Sequence, residues 1–242
     1  KITMPAAPTT VEASYLYYAS EADAIAGTTT SGTATAMPVT ASDTEWSGTT
    51  QNPGWYVVNS ALENANRITV TGDVRLILAD GKTLTASAGI TVTGDNSLTI
   101  YAQSTGNNMG ALTATGGNYN AGIGSGDGTP NGNGAAGTIT VNGGSVTATG
   151  GDNDNGIAGG AGIGGGLCGA GGVITINGGK VTATGGNYSA GIGGGQSAAG
   201  GETTINGGTV TATGGSMGAG IGGGQSGAGG KVTISGGTVR AT

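Results

Sequence analysis

From residue 108 to the end of the chain one pattern, TATGG–AGIGGG–G–VTINGGxV, returns four times and closes on a fifth, partial copy. Ile163, Ile192 and Ile221 step by 29 residues, as do Val181, Val210 and Val239. The step from Ile123 to Ile163 is 40, and its excess of 11 falls in two polar insertions, around Asp127–Asn133 and around Asp152–Gly156. A period of this size, made of short β-prone runs between Gly and Asn, describes a unit that buries its apolar face only against its own neighbours. Such a chain stacks into coils rather than closing around one pocket.

Alternation within the runs says what points where. In ITV (68–70) and LTI (98–100), and in the pairs Ile139/Val141, Ile174/Ile176 and Val232/Ile234, apolar residues face inward and the intervening Thr faces out. The second run of each repeat places Val146/Ala148, Val181/Ala183 and Val210/Ala212 inward, and AGIG adds one inward Ile column. The NGG corners at Asn142, Asn177 and Asn206 suit a sharp turn in which Asn bonds along its own column. Earlier, Ile68 to Ile90, Leu76 to Leu98 and Leu78 to Ile100 each give 22. The expected fold is all-β, a right-handed parallel β-helix with coils of about 22 and then 29 residues. Handedness follows from the general preference of parallel crossovers; a β-roll or a flatter solenoid is the alternative. Roughly seven coils at about 4.8 Å would make a rod on the order of 30 Å long.

Residues 1–66 differ, holding both tryptophans and Tyr15, Tyr17, Tyr18 and Tyr56. This segment reads as an aromatic cap on a solenoid spanning 67–242, with a few strand residues or one short helix in SYLYYASEADAIAG. The final TVRAT ends at a strand, so a further domain of the same polypeptide, or a second copy, is expected to meet it.

Gly is 57 of 242 residues without a collagen period, charged residues are 8% and the formal charge is -6, with no His. Seven scattered Lys and Arg give no footprint for nucleic acid. No apolar run reaches membrane-spanning length, so no membrane insertion is expected. A single cysteine, Cys168, forbids a disulfide framework. The Gly-rich corners lack the strand-to-helix context of a nucleotide site, and no cofactor is expected. Nucleophile triads lack members, and the DND loop offers no apolar wall to tune a carboxylate pair, so the chain is read as non-enzymatic. Asp127, Asp152 and Asp154 could suit Ca²⁺, but solvated insertions explain them as well, and the metal question stays open.

Two surfaces stand out. Tyr119, Tyr188 and Met217 share one column before AGIG, with Asn118 and Asn187 beside them and Asp152 and Asp154 expected on the same side. Gln196 and Gln225, matched by Leu167, form a second exposed column. An aromatic face flanked by Asn, Asp and Gln fits a saccharide; equally, the tyrosines could simply cover Gly-rich corners. The second surface is the outward ladder Thr113/Thr115, Thr147/Thr149, Thr182/Thr184 and Thr211/Thr213, which resembles the ice-binding face of β-solenoid antifreeze proteins, although Thr is also a good β-former for any exposed face.

GWYVVNS (54–60), RITVTGDVRLILADGKTL (67–84), GITVTGDNSLTIYAQ (89–103) and the AGIGGG and INGGxVTATGG repeats resemble the Gly-rich surface proteins of gut Gram-positive bacteria described as carbohydrate-binding-domain-containing. The resemblance implies a secreted or wall-attached β-helix whose partner is a glycan or a host or bacterial surface protein. No LPxTG-like signal occurs, so an anchor is expected elsewhere in the polypeptide. A structural stalk is the alternative role.

Overall fold

Alternating runs bounded by Gly and Asn form short strands, and in the computed structural model they stack in parallel into three sheets. The structure describes residues 9–126, 134–153, 155–156 and 158–242. Each coil contributes one strand to each sheet in turn. The first sheet runs through Gly54–Val58, Asp73–Leu78, Ser97–Ala102, Thr138–Val141, Val173–Ile176, Glu202–Ile205 and Lys231–Ile234. The second, the threonine sheet, runs from Leu62–Asn64 through Thr83–Ala86 to Thr238–Ala241. The third is narrow, with two-residue Ile-Gly strands at Ile123–Gly124, Ile163–Gly164, Ile192–Gly193 and Ile221–Gly222.

Inward residues meet their counterparts in register. Ile123 pairs with Ile163 and Ile163 with Ile192; Val146, Val181 and Val210 form a second column. These columns are buried and make one continuous core from Trp46 to Val210, each large aliphatic side chain contributing about 1.5–3 kcal/mol by leaving water. Thr203 sits buried in the inward column between Ile174 and Val232.

Ile163, Ile192 and Ile221 pair at steps of 29 residues and Ile68–Ile90 and Leu62–Leu84 at 22, whereas Val146 pairs with Val181 at 35. The first sheet departs from the expected pairing: Val74 pairs with Leu98 and Leu76 with Ile100, a step of 24 rather than 22. A slip of two residues leaves every side chain on its own face, so alternation alone cannot distinguish the registers.

The Asn corners form a ladder. Asn177 Nδ2 donates to Asn142 Oδ1 at 2.8 Å and Asn206 Nδ2 to Asn177 Oδ1 at 2.9 Å. Ser235 takes the next position, and Asn206 Oδ1 is buried with no partner. Arg67 serves another corner, its guanidinium bonding Thr91 Oγ1 (2.7 Å) and the carbonyls of Ala88 (2.7 Å) and Ala121 (3.2 Å). Burial pushes its pKa down to about 10.

Parallel stacking starts ahead of residue 67, because Glu45–Ser47 pairs with Ile68–Thr71 and Gly54–Val58 with Asp73–Leu78. Trp46, fully buried and 5.5 Å from Tyr56, fills the interior of this first rung. The segment before it does more than close an end. Strand β1 (Val11–Tyr17), helix α1 (Glu21–Ala26) and strand β2 (Thr30–Pro38) form an arm. β1 and β2 pair antiparallel, β2 joins Gly54–Val58 in parallel, and β1 returns to touch Ala102 through Leu16. The arm thereby covers the outer face of the first sheet, where Tyr15 lies 4.7 Å from Trp55 and 4.8 Å from Tyr101, over Val57 and Ile77. α1 starts at Ser20, whose Oγ accepts the Asp23 N–H, and stops at Gly27 with φ 72. It then lies along the NGG corners. A Cβ at Gly178 would fall 2.2 Å from the Tyr18 hydroxyl, and one at Gly207 2.7 Å from the Ala24 carbonyl oxygen.

Candidate functional site

Between the threonine sheet and the third sheet, each long coil turns through four residues. Asn120 N–H bonds to Gly117 O, Ser189 to Gly186 O and Gly218 to Gly215 O. The third residue of each turn is at positive φ: Tyr119 at 65, Tyr188 at 64 and Met217 at 61. This is the pattern of a type II turn, where glycine is the usual choice. A second column follows the Ile-Gly strands, with Cys168, Ser197 and Ser226 at φ 59, 61 and 62. Leu167, Gln196 and Gln225 each precede that left-handed residue.

The two columns are bonded to each other. Leu167 N–H donates to the Tyr119 carbonyl at 2.7 Å and Gln225 N–H to the Tyr188 carbonyl at 2.8 Å. Ser189, buried, donates its hydroxyl to Gly159 O at 2.6 Å and accepts the Gln196 N–H at 3.0 Å. Nothing in the repeat singled out Ser189, but the constant eight-residue offset of Tyr188–Gln196 and Met217–Gln225 marks the two turns as neighbours. Gln196 Nε2 contacts Gln225 Oε1, and Gln225 Nε2 contacts Met217 Sδ, both at 3.5 Å, the outer limit of such bonds.

Tyr119, Tyr188, Asn187, Gln196 and Gln225 are half-buried, and Asn118, Met217 and Asp152 are exposed. The two tyrosines lie two rungs apart, about 10 Å at strand spacing, because the Ile163 coil intervenes. In that coil the second insertion leaves the stack at Asp152, which pairs with Gly159. Its carboxylate accepts the Asn187 N–H, and Asn187 Nδ2 donates to Gly156 O. Asp152 therefore braces the Tyr188 turn. Asp154 and the Asp127–Asn133 insertion lie outside the described residues. Leu167, expected on the exposed column with the glutamines, is instead buried; an apolar side chain gains by being covered where Gln gains by staying wet. Cys168 beside it is exposed.

The threonine ladder occupies a different side. Thr85, Thr113, Thr147, Thr182 and Thr211 form one column and Thr115, Thr149, Thr184 and Thr213 another, in unbroken register. All are half-buried on one sheet face except Thr115, which is exposed. Among the described residues no group of three or more His, Cys, Asp or Glu converges as a metal site, and no helix is long and apolar enough to cross a membrane.

Parallel three-sheet stacking and a short repeat define a class, and sequence comparison agrees with it. A family model described as beta helix repeat matches residues 107–127, 174–196 and 204–225. Each matched piece spans successive strands of one coil. The chain is a β-helical repeat protein. No curated protein and no solved structure matches it.

Proposed function

We propose that this chain is a right-handed parallel β-helix acting as a non-catalytic, extracellular adhesion or carbohydrate-binding module of a bacterial surface protein, of the Gly-rich type found in gut Gram-positive bacteria. Its ligand is a glycan met on the paired turn columns. The observation that carries this reading is the choice of residue at the left-handed turns. A chain that places glycine at most positive-φ positions keeps Tyr119, Tyr188 and Met217 there, at roughly 1–2 kcal/mol each. A stalk would be served as well by glycine. Large side chains held at a cost, with Asn187, Gln196 and Gln225 beside them, supply a ring face and amide groups for a sugar.

Glycine substitution tests this without straining the backbone. On a glycan array the protein should bind a restricted set of sugars, and Tyr119→Gly and Tyr188→Gly should lose that binding with circular dichroism unchanged. Binding of no glycan class would leave the chain a spacer or a protein-binding adhesin.

The unbroken register of the two Thr columns favours ice binding as a second reading, since it makes a regular array of hydroxyl and methyl groups. Thr182→Glu at the middle of the array should abolish inhibition of ice recrystallisation. A wild-type protein with no such inhibition removes this reading.

A further inference from the structure

Where the arm crosses the corner between the first sheet and the threonine sheet, a cavity of about 330 Å³ remains between them. Its floor is backbone, because Gly143, Gly144 and Gly179 carry no side chains into it. Leu16 and Tyr18 from the arm and Met109 from the coil form apolar walls, and Asn142 turns toward the same space. The Asn142 amide is already engaged, accepting from Asn177 at 2.8 Å, so the corner is rigid. Lys180 stands at the margin, exposed. The ion pairs among the described residues are Arg75–Asp73 and Lys231–Glu202, neither of which involves it.

We propose that this cavity is a binding site for a small amphiphile with an apolar body and one anionic head, the body lying against Leu16, Tyr18 and Met109 and the head on the Lys180 ammonium. The ligand class follows from complementarity. The apolar walls account for the body, and an ammonium with no ion-pair partner among the described residues, on a chain of formal charge -6, accounts for the head. An uncharged ligand would leave the ammonium unused, and a polyanion would meet only one cation. The site sits at a different corner from the turn columns and stands or falls separately from the glycan reading.

Anilinonaphthalene sulfonate, an aromatic body with one anionic head, is a direct probe. Titrated into the intact chain, it should bind at one saturable site with blue-shifted emission. Lys180→Gln, a change at an exposed position, should weaken binding about tenfold, as expected for loss of one charge-assisted bond. Met109→Trp should fill the space and abolish binding, and the neutral analogue N-phenylnaphthylamine should bind more weakly than the sulfonate. Unsaturable binding, unchanged affinity in Lys180→Gln, or equal affinity for the neutral analogue would overturn the proposal. Those outcomes would mean that the probe reports exposed apolar surface elsewhere. Lys180→Gln keeps the test decisive if Met109→Trp does not fold.

Discussion

Tyr188 and Ser235 are single residues at which the stacked backbone asks for something other than what the chain supplies. At Tyr188 the turn asks for glycine. Tyr188→Gly should therefore be stability-neutral or raise the unfolding free energy by up to about 1 kcal/mol, the gain at left-handed φ being partly offset by the freer unfolded chain. Tyr188→Ala, which keeps a Cβ and loses the ring, should be less stable than Tyr188→Gly; urea denaturation of the pair orders them. At Ser235 the column asks for asparagine, because Asn206 Oδ1 is buried without a donor. Ser235→Asn should extend the ladder by one rung and add about 1 kcal/mol, readable as a higher denaturation midpoint at unchanged slope. A residue whose role repeats is legible in sequence. Ile123, Ile163 and Ile192, the Thr columns and the Asn corners recur because each rung offers the same surroundings. Leu167 departs from its column because an apolar side chain stands where the other rungs carry glutamine, and it is covered rather than left wet.

Among the elements, the arm was the least legible, for the opposite reason. Its contacts occur once each, Tyr15 on Trp55 and Tyr18 over Gly178, so no period announces them. The aromatic content of residues 1–66 indicated a covering role. It could not indicate that the cover lies along a side as well as across an end. The two tryptophans now separate these roles: Trp46 reports the solenoid interior, Trp55 the arm. In single-tryptophan variants, Trp55 fluorescence should change at lower urea than Trp46 if the arm releases before the coils unravel; coincident transitions would make arm and coils one cooperative unit. Alkali should act where the arm meets the first sheet. Burial raises the Tyr101 hydroxyl above its ordinary value near 10, outweighing the lowering by Arg75, and burial raises Tyr18 as well. Above that value the unfolded chain loses protons that the folded chain keeps, so the stabilisation present below about pH 10 is lost as pH rises further. Denaturation midpoints should fall between about pH 9 and about pH 11, and less steeply in Tyr101→Phe.

For the molecule as a whole, cohesion comes from aliphatic columns and ladder hydrogen bonds, with little from charge. Ion pairs are two among the described residues, and both are exposed or partly so. Raising NaCl from about 0.05 M to about 0.5 M should change the unfolding free energy by less than about 0.5 kcal/mol, which melting curves at the two salt concentrations would check. The architecture was readable at this scale because period, alternation and corner chemistry agree. The register of the first sheet was not, since Leu76 faces the core equally well opposite Leu98 or Ile100 and only the corners decide between them. The path of the arm also has a temporal meaning. Its contacts are spread along the sequence, the aromatic ones at Trp55 and Tyr101 and the corner ones at Gly178, Gly207 and Gly236. A chain emerging amino end first can therefore seat β1 and β2 on its earliest rungs at once, while α1 gains its seat only as later coils stack. Docking then proceeds in two stages along one path, and a chain cut within the later coils would keep its aromatic strap and lose the seat of its helix.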